Sequence, residues 1–251
     1  MGIINNLKGM FALTLYSSKK IILDKKIILS VISIIFFSVI MGYAAYEGEY
    51  DITSITFLMK NIMLLFLMPI ITMIYGTTLI RDEIEDKSIT MTLTSSLKRV
   101  WIYLGYYLSI IITMSIVMIL IVSTGLISFV SISKITSDAM TVYYGMIGLV
   151  IIGSVVYSSL FLFFSLLIDK PIYLGLFYAF IWEMFVGSLP GNIKQVSINY
   201  YLKSLGSEWI NVGTFRNFSD VSVVDSITIL TIVTIILVSI GIVLFREFEL
   251  K

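Results

Sequence analysis

The sequence predicts an all-α integral membrane protein: six transmembrane helices, an N-terminal amphipathic helix lying in the interface, and short extracytoplasmic helices between spans five and six. Three observations carry that prediction. The chain is 58% apolar and 13% charged, with a mean hydropathy of +1.01, which is far from the average of a water-soluble domain. Its few charges gather in clusters separated by charge-free stretches of membrane length, and Lys and Arg are shared unequally between alternate clusters.

The first element, over residues 3–25, follows from Ile3, Ile4, Leu7, Met10, Phe11 and Leu15, which fall at helical spacing opposite Asn5, Asn6, Lys8 and Ser18. Such a helix is expected to lie in the membrane interface, with the basic cluster from Lys19 to Lys26 meeting anionic headgroups. A secretory signal is not expected here, because the apolar stretch is short, Lys19 and Lys20 follow at once, and no small-x-small cleavage pattern is present.

The spans come next. An ionised side chain at the bilayer centre costs about 2.5 to 3.5 kcal/mol on insertion scales, so charge-free stretches mark the crossings. Twenty uncharged residues lie between Lys26 and Glu47, twenty between Lys60 and Arg81, and twenty between Asp225 and Arg246. Each matches the roughly 20 residues that cross a hydrocarbon core of about 30 Å, giving spans over 27–46, 61–80 and 226–245. The 34 uncharged residues between Arg99 and Lys134, and the 30 between Asp138 and Asp169, each suit one tilted helix, over 101–124 and 143–168. A fifth span over 172–189 contains Glu183 and ends at Ser188-Leu189-Pro190-Gly191, a helix-stopping sequence.

Six spans put both termini on one side. That side holds Lys8, Lys19, Lys20, Lys25, Lys26, Arg81, Lys87, Lys98, Arg99, Lys170, Arg246 and Lys251, against Lys60, Lys134, Lys194, Lys203 and Arg216 on the other, so both termini are expected in the cytoplasm. Residues 190–225 hold no apolar run of span length, yet Tyr200, Tyr201, Leu202, Leu205, Trp209 and Phe215 make them too apolar for a solvated linker. They are expected to form short helices in the outer interface.

Composition also excludes functions. A net charge of +1 gives no field for gripping a polyanion, so nucleic acid is not an expected partner. With no Cys and no His, thiolate nucleophiles, the usual general base and the commonest metal ligands are missing, and no metal site is expected. No phosphate loop of the form Gly-x-x-x-x-Gly-Lys-Ser/Thr occurs, so ATP is not held by that device.

Within the spans four residues stand out. Pro69 lacks an amide and is expected to kink span two near mid-membrane. Ser154 and Ser158 form a small-x-x-x-small step suited to close helix packing or to a polar pathway. Glu183, the one acid well inside a predicted span, is expected either at the outer interface beside Trp182 or in a pathway or dimer contact. Outside the spans, residues 81–99 join spans two and three with a dense acidic face opposite Ile80, Ile84, Ile89 and Leu93.

That segment resembles one in the ABC-2 type permeases, subunits of ATP-binding cassette transporters, in which Glu-x-Glu-x-Gly-Thr-Leu after the second span is followed by Leu-Leu, Ser-x-Pro, an Arg and Gly-Lys. Here Glu83 and Glu85 match the acidic pair, Ser88 and Ile89 stand for Thr-Leu, Leu93 falls in the Leu-rich part, Arg99 matches the Arg and Gly105 the Gly. Lys87, Ser96 and Tyr106 stand where the family has Gly, Pro and Lys. The span pattern and the end Phe245 to Leu250 resemble the family as well.

The resemblance implies a transport subunit without enzymatic activity of its own, an exporter in the cell membrane working as a homodimer. ATP and Mg would be bound by two copies of a separate cytoplasmic ABC ATPase, coupled through Glu83, Glu85, Ser88 and Arg99. An ion-coupled secondary carrier, or a membrane assembly protein with no ATPase partner, are the competing readings.

Overall fold

The computed structural model describes residues 2–47, 52–95, 97–133, 137–189, 191–216 and 221–247. Expectations that fall on Ser96, Lys134, Pro190 and residues 248–251 lie outside them. All regular structure among the described residues is helical. Among the described residues five helices are long and apolar enough to cross a membrane: Ile27–Glu47, Ile52–Glu85, Arg99–Ile132, Asp138–Leu167 and Val223–Glu247. The architecture is that of an all-α multi-pass membrane protein.

In chain order the elements are α1 (Gly2–Leu23), α2 (Ile27–Glu47), α3 (Ile52–Leu58), α4 (Met68–Glu85), α5 (Ile89–Leu93), α6 (Arg99–Ile132), α7 (Ser137–Leu167), α8 (Pro171–Leu176), α9 (Ile198–Trp209) and α10 (Val223–Glu247). A π-helical stretch, Met59–Leu67, joins α3 to α4 without a break, and a second, Phe177–Phe185, prolongs α8. The stretch expected as span five is therefore a helix over Pro171–Phe185 only, shorter than the other candidate spans.

Contacts between helix ends define two ends of the bundle. Lys26 meets Asp82, Arg81 meets Asp169 and Arg99 meets Arg246, so both terminal helices, the end of α4 and the start of α8 share one end. The far end holds α3, α9 and the start of α10. α6 runs through the middle, touching α1, α2, α4, α7 and α10. Helices approach closely where glycine removes a side chain: a Cβ on Gly125 of α6 would lie 2.6 Å from the Phe37 ring of α2, and one on Gly105 would lie 3.0 Å from Leu13 of α1.

The buried face of α1 is not the apolar stripe that suggested the helix. Met10 is buried, but so are Thr14, Ser17 and Ile21, whereas Ile4, Phe11 and Leu15 stay exposed. Two hydroxyls on this side of α1 find partners on α6. Thr14 donates to the Gly105 carbonyl at 3.2 Å and Ser18 to that of Ser109 at 3.4 Å. Against lipid an apolar side chain gains nothing by turning inward, while a hydroxyl needs a partner.

Residues 190–225 depart furthest from expectation. α9 is not spread over an outer surface: Ile198 to Leu202 and Ser204 to Ser207 are buried, and the helix lies against α7 and α10. Glycines of α7 make room for it. A Cβ on Gly145 would meet Ile210, one on Gly148 would meet Trp209, and one on Gly153 would meet Leu202 and Met68. After Phe185 the chain has turned back into the bundle, so that α9 begins beside α8's π-helical extension and climbs α7 toward the far end.

Candidate functional site

Two polar clusters interrupt the apolar bundle. The first lies at the α1 end, where α4 leaves the bundle. Glu83 points inward and is 2% exposed. Its carboxylate accepts a hydrogen bond from the Tyr106 hydroxyl and faces the Lys20 ammonium at 3.5 Å, so α1, α4 and α6 meet on one acid. The Tyr75 hydroxyl pairs with that of Ser30 at 2.7 Å and reaches the Lys26 carbonyl at 3.0 Å, tying α2 to the same end of α4.

Beyond Glu83 the chain turns outward. Glu85, Asp86 and Lys87 are exposed, and α5 follows with Ile89 fully buried beneath it. The four apolar positions of this segment, Ile80, Ile84, Ile89 and Leu93, all turn toward the core. Lys87 has φ of 56°, a left-handed conformation that glycine adopts freely and a residue with a Cβ does not. The Ser88 hydroxyl donates to the Glu83 carbonyl at 3.4 Å, closing the turn.

The residues grouped by sequence as contacts for a partner thus divide. Glu83 is buried and cannot itself touch a soluble protein; it holds the segment in place. Glu85 is open. Arg99 is exposed, yet its guanidinium donates to the Arg246 carbonyl in the last turn of α10, where a cation suits the negative end of a helix. Ser88 serves the turn.

The second cluster centres on Glu183. Glu183 is fully buried, no more than roughly 20 Å along the helix from Asp169 at a rise of about 1.5 Å per residue, which is within the depth of a bilayer core. Four donors enclose it. Tyr178 and Ser197 hydroxyls each donate at 2.6 Å, and the backbone amides of Ile198 and Asn199 each donate at 3.1 Å.

Those amides are the first two of α9. Ser197 sits at the N-cap with extended backbone but makes no capping bond with its own side chain. Glu183, 14 residues earlier, does the capping, and it adds a negative charge at the positive end of the helix. A carboxylate at this depth carries its desolvation cost only because charge-assisted bonds satisfy both oxygens.

Pro69 explains the neighbouring contact. In the π-helical stretch the Met68 amide donates to the Met63 carbonyl, five residues back. The next bond in that register would run from residue 69 to the Leu64 carbonyl, and Pro69 has no amide to give. Asn199 supplies the donor from α9, its Nδ2 reaching the Leu64 carbonyl at 3.1 Å. Before Pro69 the helix widens through Met59–Leu67, and a side chain from another element satisfies the orphaned carbonyl. The two π-helical stretches also meet directly, Phe66 packing edge-on to Phe180 at 6.1 Å between centroids.

Ser154 and Ser158 are both fully buried on α7, and Ser154 returns its hydroxyl to the Val150 carbonyl of its own helix. Sequence reasoning missed Tyr106, Lys20, Tyr178, Ser197 and Asn199. Of these only Asn199 had a legible signal, the donor that Pro69 leaves wanting. Between Tyr178, Trp182, the start of α9 and α10 lies an apolar groove of about 560 Å³, with Ser197 and Gln195 at its polar edge.

No protein-family model matches this chain, and no curated protein matches it.

Proposed function

We propose that this chain is the membrane-spanning subunit of an ATP-driven exporter of the ABC-2 type, receiving force from a separate cytoplasmic ATPase that binds ATP and Mg. In this reading six segments cross or enter the cell membrane, with Pro171–Phe185 as the short one, and the α1 end faces the cytoplasm. α1 then lies in the inner interface, its exposed Ile4, Phe11 and Leu15 toward lipid. Two copies would pair with two ATPase subunits.

The observation that carries the reading is the turn between α4 and α6. It is acidic and exposed at Glu85 and Asp86, yet fixed to three bundle helices through the buried Glu83, so a push on the turn reaches α1, α4 and α6 together. The left-handed Lys87 adds support, since the resembling family has Gly at that position. The full satisfaction of Glu183 by hydrogen bonds disfavours an ion-coupled carrier, which would want a mid-membrane carboxylate open to a cation.

Co-expression with an ATPase encoded beside this chain, followed by detergent purification, tests the reading. Equal amounts of the two proteins are expected, with the ATPase lost on Glu85→Lys. A chain that purifies alone whatever ATPase is supplied would falsify it, and so would an unchanged complex after Glu85→Lys combined with Asp86→Lys.

A further inference from the structure

The lysines of α1 and of the corner that follows it do not all face one way. Lys8, Lys19, Lys20, Lys25 and Lys26 share this stretch with a single acid, Asp24. Each adjacent pair divides. Lys20 turns inward to Glu83 at 3.5 Å and Lys26 to Asp82, whereas Lys19 and Lys25 are exposed and form no ion pair among the described residues. Successive positions on a helix point roughly 100° apart, so Lys20 reaches α4 only while Lys19 faces away from it.

Asp24 turns its carboxylate to the Lys26 amide at 2.9 Å and closes the corner before α2. Lys8 lies on the exposed face of α1 with Lys19, about three turns away along the helix. Apolar side chains border these ammonium groups, since Ile4, Phe11, Leu15, Ile22 and Leu23 are exposed on the same helix. A face set wholly in water would be polar throughout, and one set wholly in acyl chains would not carry unpaired charge. Charge and apolar surface side by side suit the layer where headgroups meet acyl chains, because a lysine stem spans the two.

We propose that Lys8, Lys19 and Lys25 bind the headgroups of anionic phospholipid, and that this contact steadies the inner pairs of Lys20 with Glu83 and Lys26 with Asp82. Lys19 and Lys20 are successive residues of one helix, and Lys25 and Lys26 are successive residues of one tight corner. A headgroup that holds the outer lysine therefore restrains the inner one, and through Glu83 it restrains the end of α4. The proposal rests on the α1 end lying at a membrane surface, and it stands whether or not an ATPase couples there.

The test uses the full chain in maltoside detergent, which carries no phosphate. Thermal midpoints are followed against phosphatidylglycerol, with phosphatidylcholine and inorganic phosphate at equal ionic strength as controls. A saturable rise with phosphatidylglycerol alone is expected, and it should weaken as salt is raised. Replacing the three outer lysines together, Lys8→Gln, Lys19→Gln and Lys25→Gln, should weaken the apparent affinity about tenfold or more while leaving the lipid-free midpoint near that of the unmodified chain. The corresponding Arg replacements, which keep the charge, should bind within a few-fold of it. Lys20→Met should lower the lipid-free midpoint and keep the affinity. Phosphatidylglycerol should also slow hydrogen exchange at the end of α4 in the unmodified chain and not in the triple Gln variant. The headgroup site is overturned if phosphatidylglycerol does not saturate, if either control acts as well as it does, or if the triple Gln variant binds as the unmodified chain does. Unchanged exchange at the end of α4 under saturating phosphatidylglycerol overturns the link to the inner pairs.

Discussion

Each end of the bundle buries one glutamate, and the two are held in different ways. Glu83, at the α1 end, has a tyrosine hydroxyl and a lysine from two other helices, and the side chain of that lysine is 30% exposed. Glu183, toward the α9 end, has two hydroxyls and two backbone amides, with no cation bonded to it among the described residues. Side-chain partners on separate helices can separate and re-form as helices shift. Backbone amides at a helix start can leave only if α9 itself moves. The contrast divides the molecule into an adjustable end, where the exposed acidic turn sits, and a locked end, where the chain folds back on itself.

The most direct way to break the comparison is Glu183→Ala. It removes the cap of α9 and strands two amides and two hydroxyls away from water, so a loss of about 3 to 5 kcal/mol is expected, read as a lower midpoint in detergent by tryptophan fluorescence. Hydrogen exchange should rise in α9 first. If α9 keeps its protection, the end is not locked by Glu183.

Asn199→Ala should cost about 1 to 3 kcal/mol, because the Leu64 carbonyl beside Pro69 loses its donor. Restoring that bond from within the helix tests the cause: Pro69→Ala brings back an amide and should recover part of the loss in the double variant, which a midpoint comparison of all four proteins reads directly.

Glu83→Gln sharpens the other side. It keeps the shape but weakens the bonds to Tyr106 and Lys20, with an expected cost of about 1 to 2 kcal/mol. Glu85→Lys, on the exposed part of the same turn, should change stability by no more than about 0.5 kcal/mol. Equal costs for the two would remove the distinction between anchor and exposed face.

Lys87→Gly should act in the opposite direction. Relief of the left-handed backbone at φ of 56° is expected to raise stability by about 1 kcal/mol, and a midpoint that falls would show that the lysine side chain matters more than the backbone.

A further effect is one of pH. Burial, helped by the charge of Lys60 and opposed by that of Glu183, pushes the Lys203 ammonium down to about 8 in the folded chain against an ordinary 10.5, so between those values the unfolded chain holds a proton that the folded chain has released. Stability should therefore rise with pH across that window, and the rise should be missing in Lys203→Met. A parallel pH profile for the two proteins would count against the burial of the Lys203 ammonium.

Much of the fold was legible because a bilayer judges residues one at a time. Lys26, Glu47, Arg81, Arg99, Asp169, Asp225 and Arg246 bracket the apolar stretches, and helix ends fall at or close to most of them. The apolar positions Ile80, Ile84, Ile89 and Leu93 fixed the face of the acidic segment for the same reason. The candidate site was less legible. Glu83 and Glu85 look alike in sequence, being two acids two residues apart, and only the helix face that each occupies on α4 makes one an anchor and the other a surface. The stripe of α1 did not say which face the bundle covers, because lipid offers apolar side chains the same welcome as the core does.

What the sequence determined by itself is the helical, membrane-embedded character of the chain, the position of its long spans and the charged turn between two of them. Each follows from the transfer cost of single side chains, summed along a helix. What only the tertiary structure decided is the fate of Glu183, Pro69 and α9. A buried carboxylate and a carbonyl without its amide need donors, and here those donors come from Ser197, Ile198 and Asn199, reached only when the chain folds back into the bundle. That pairing is a property of position in space, and no local pattern of residues encodes it.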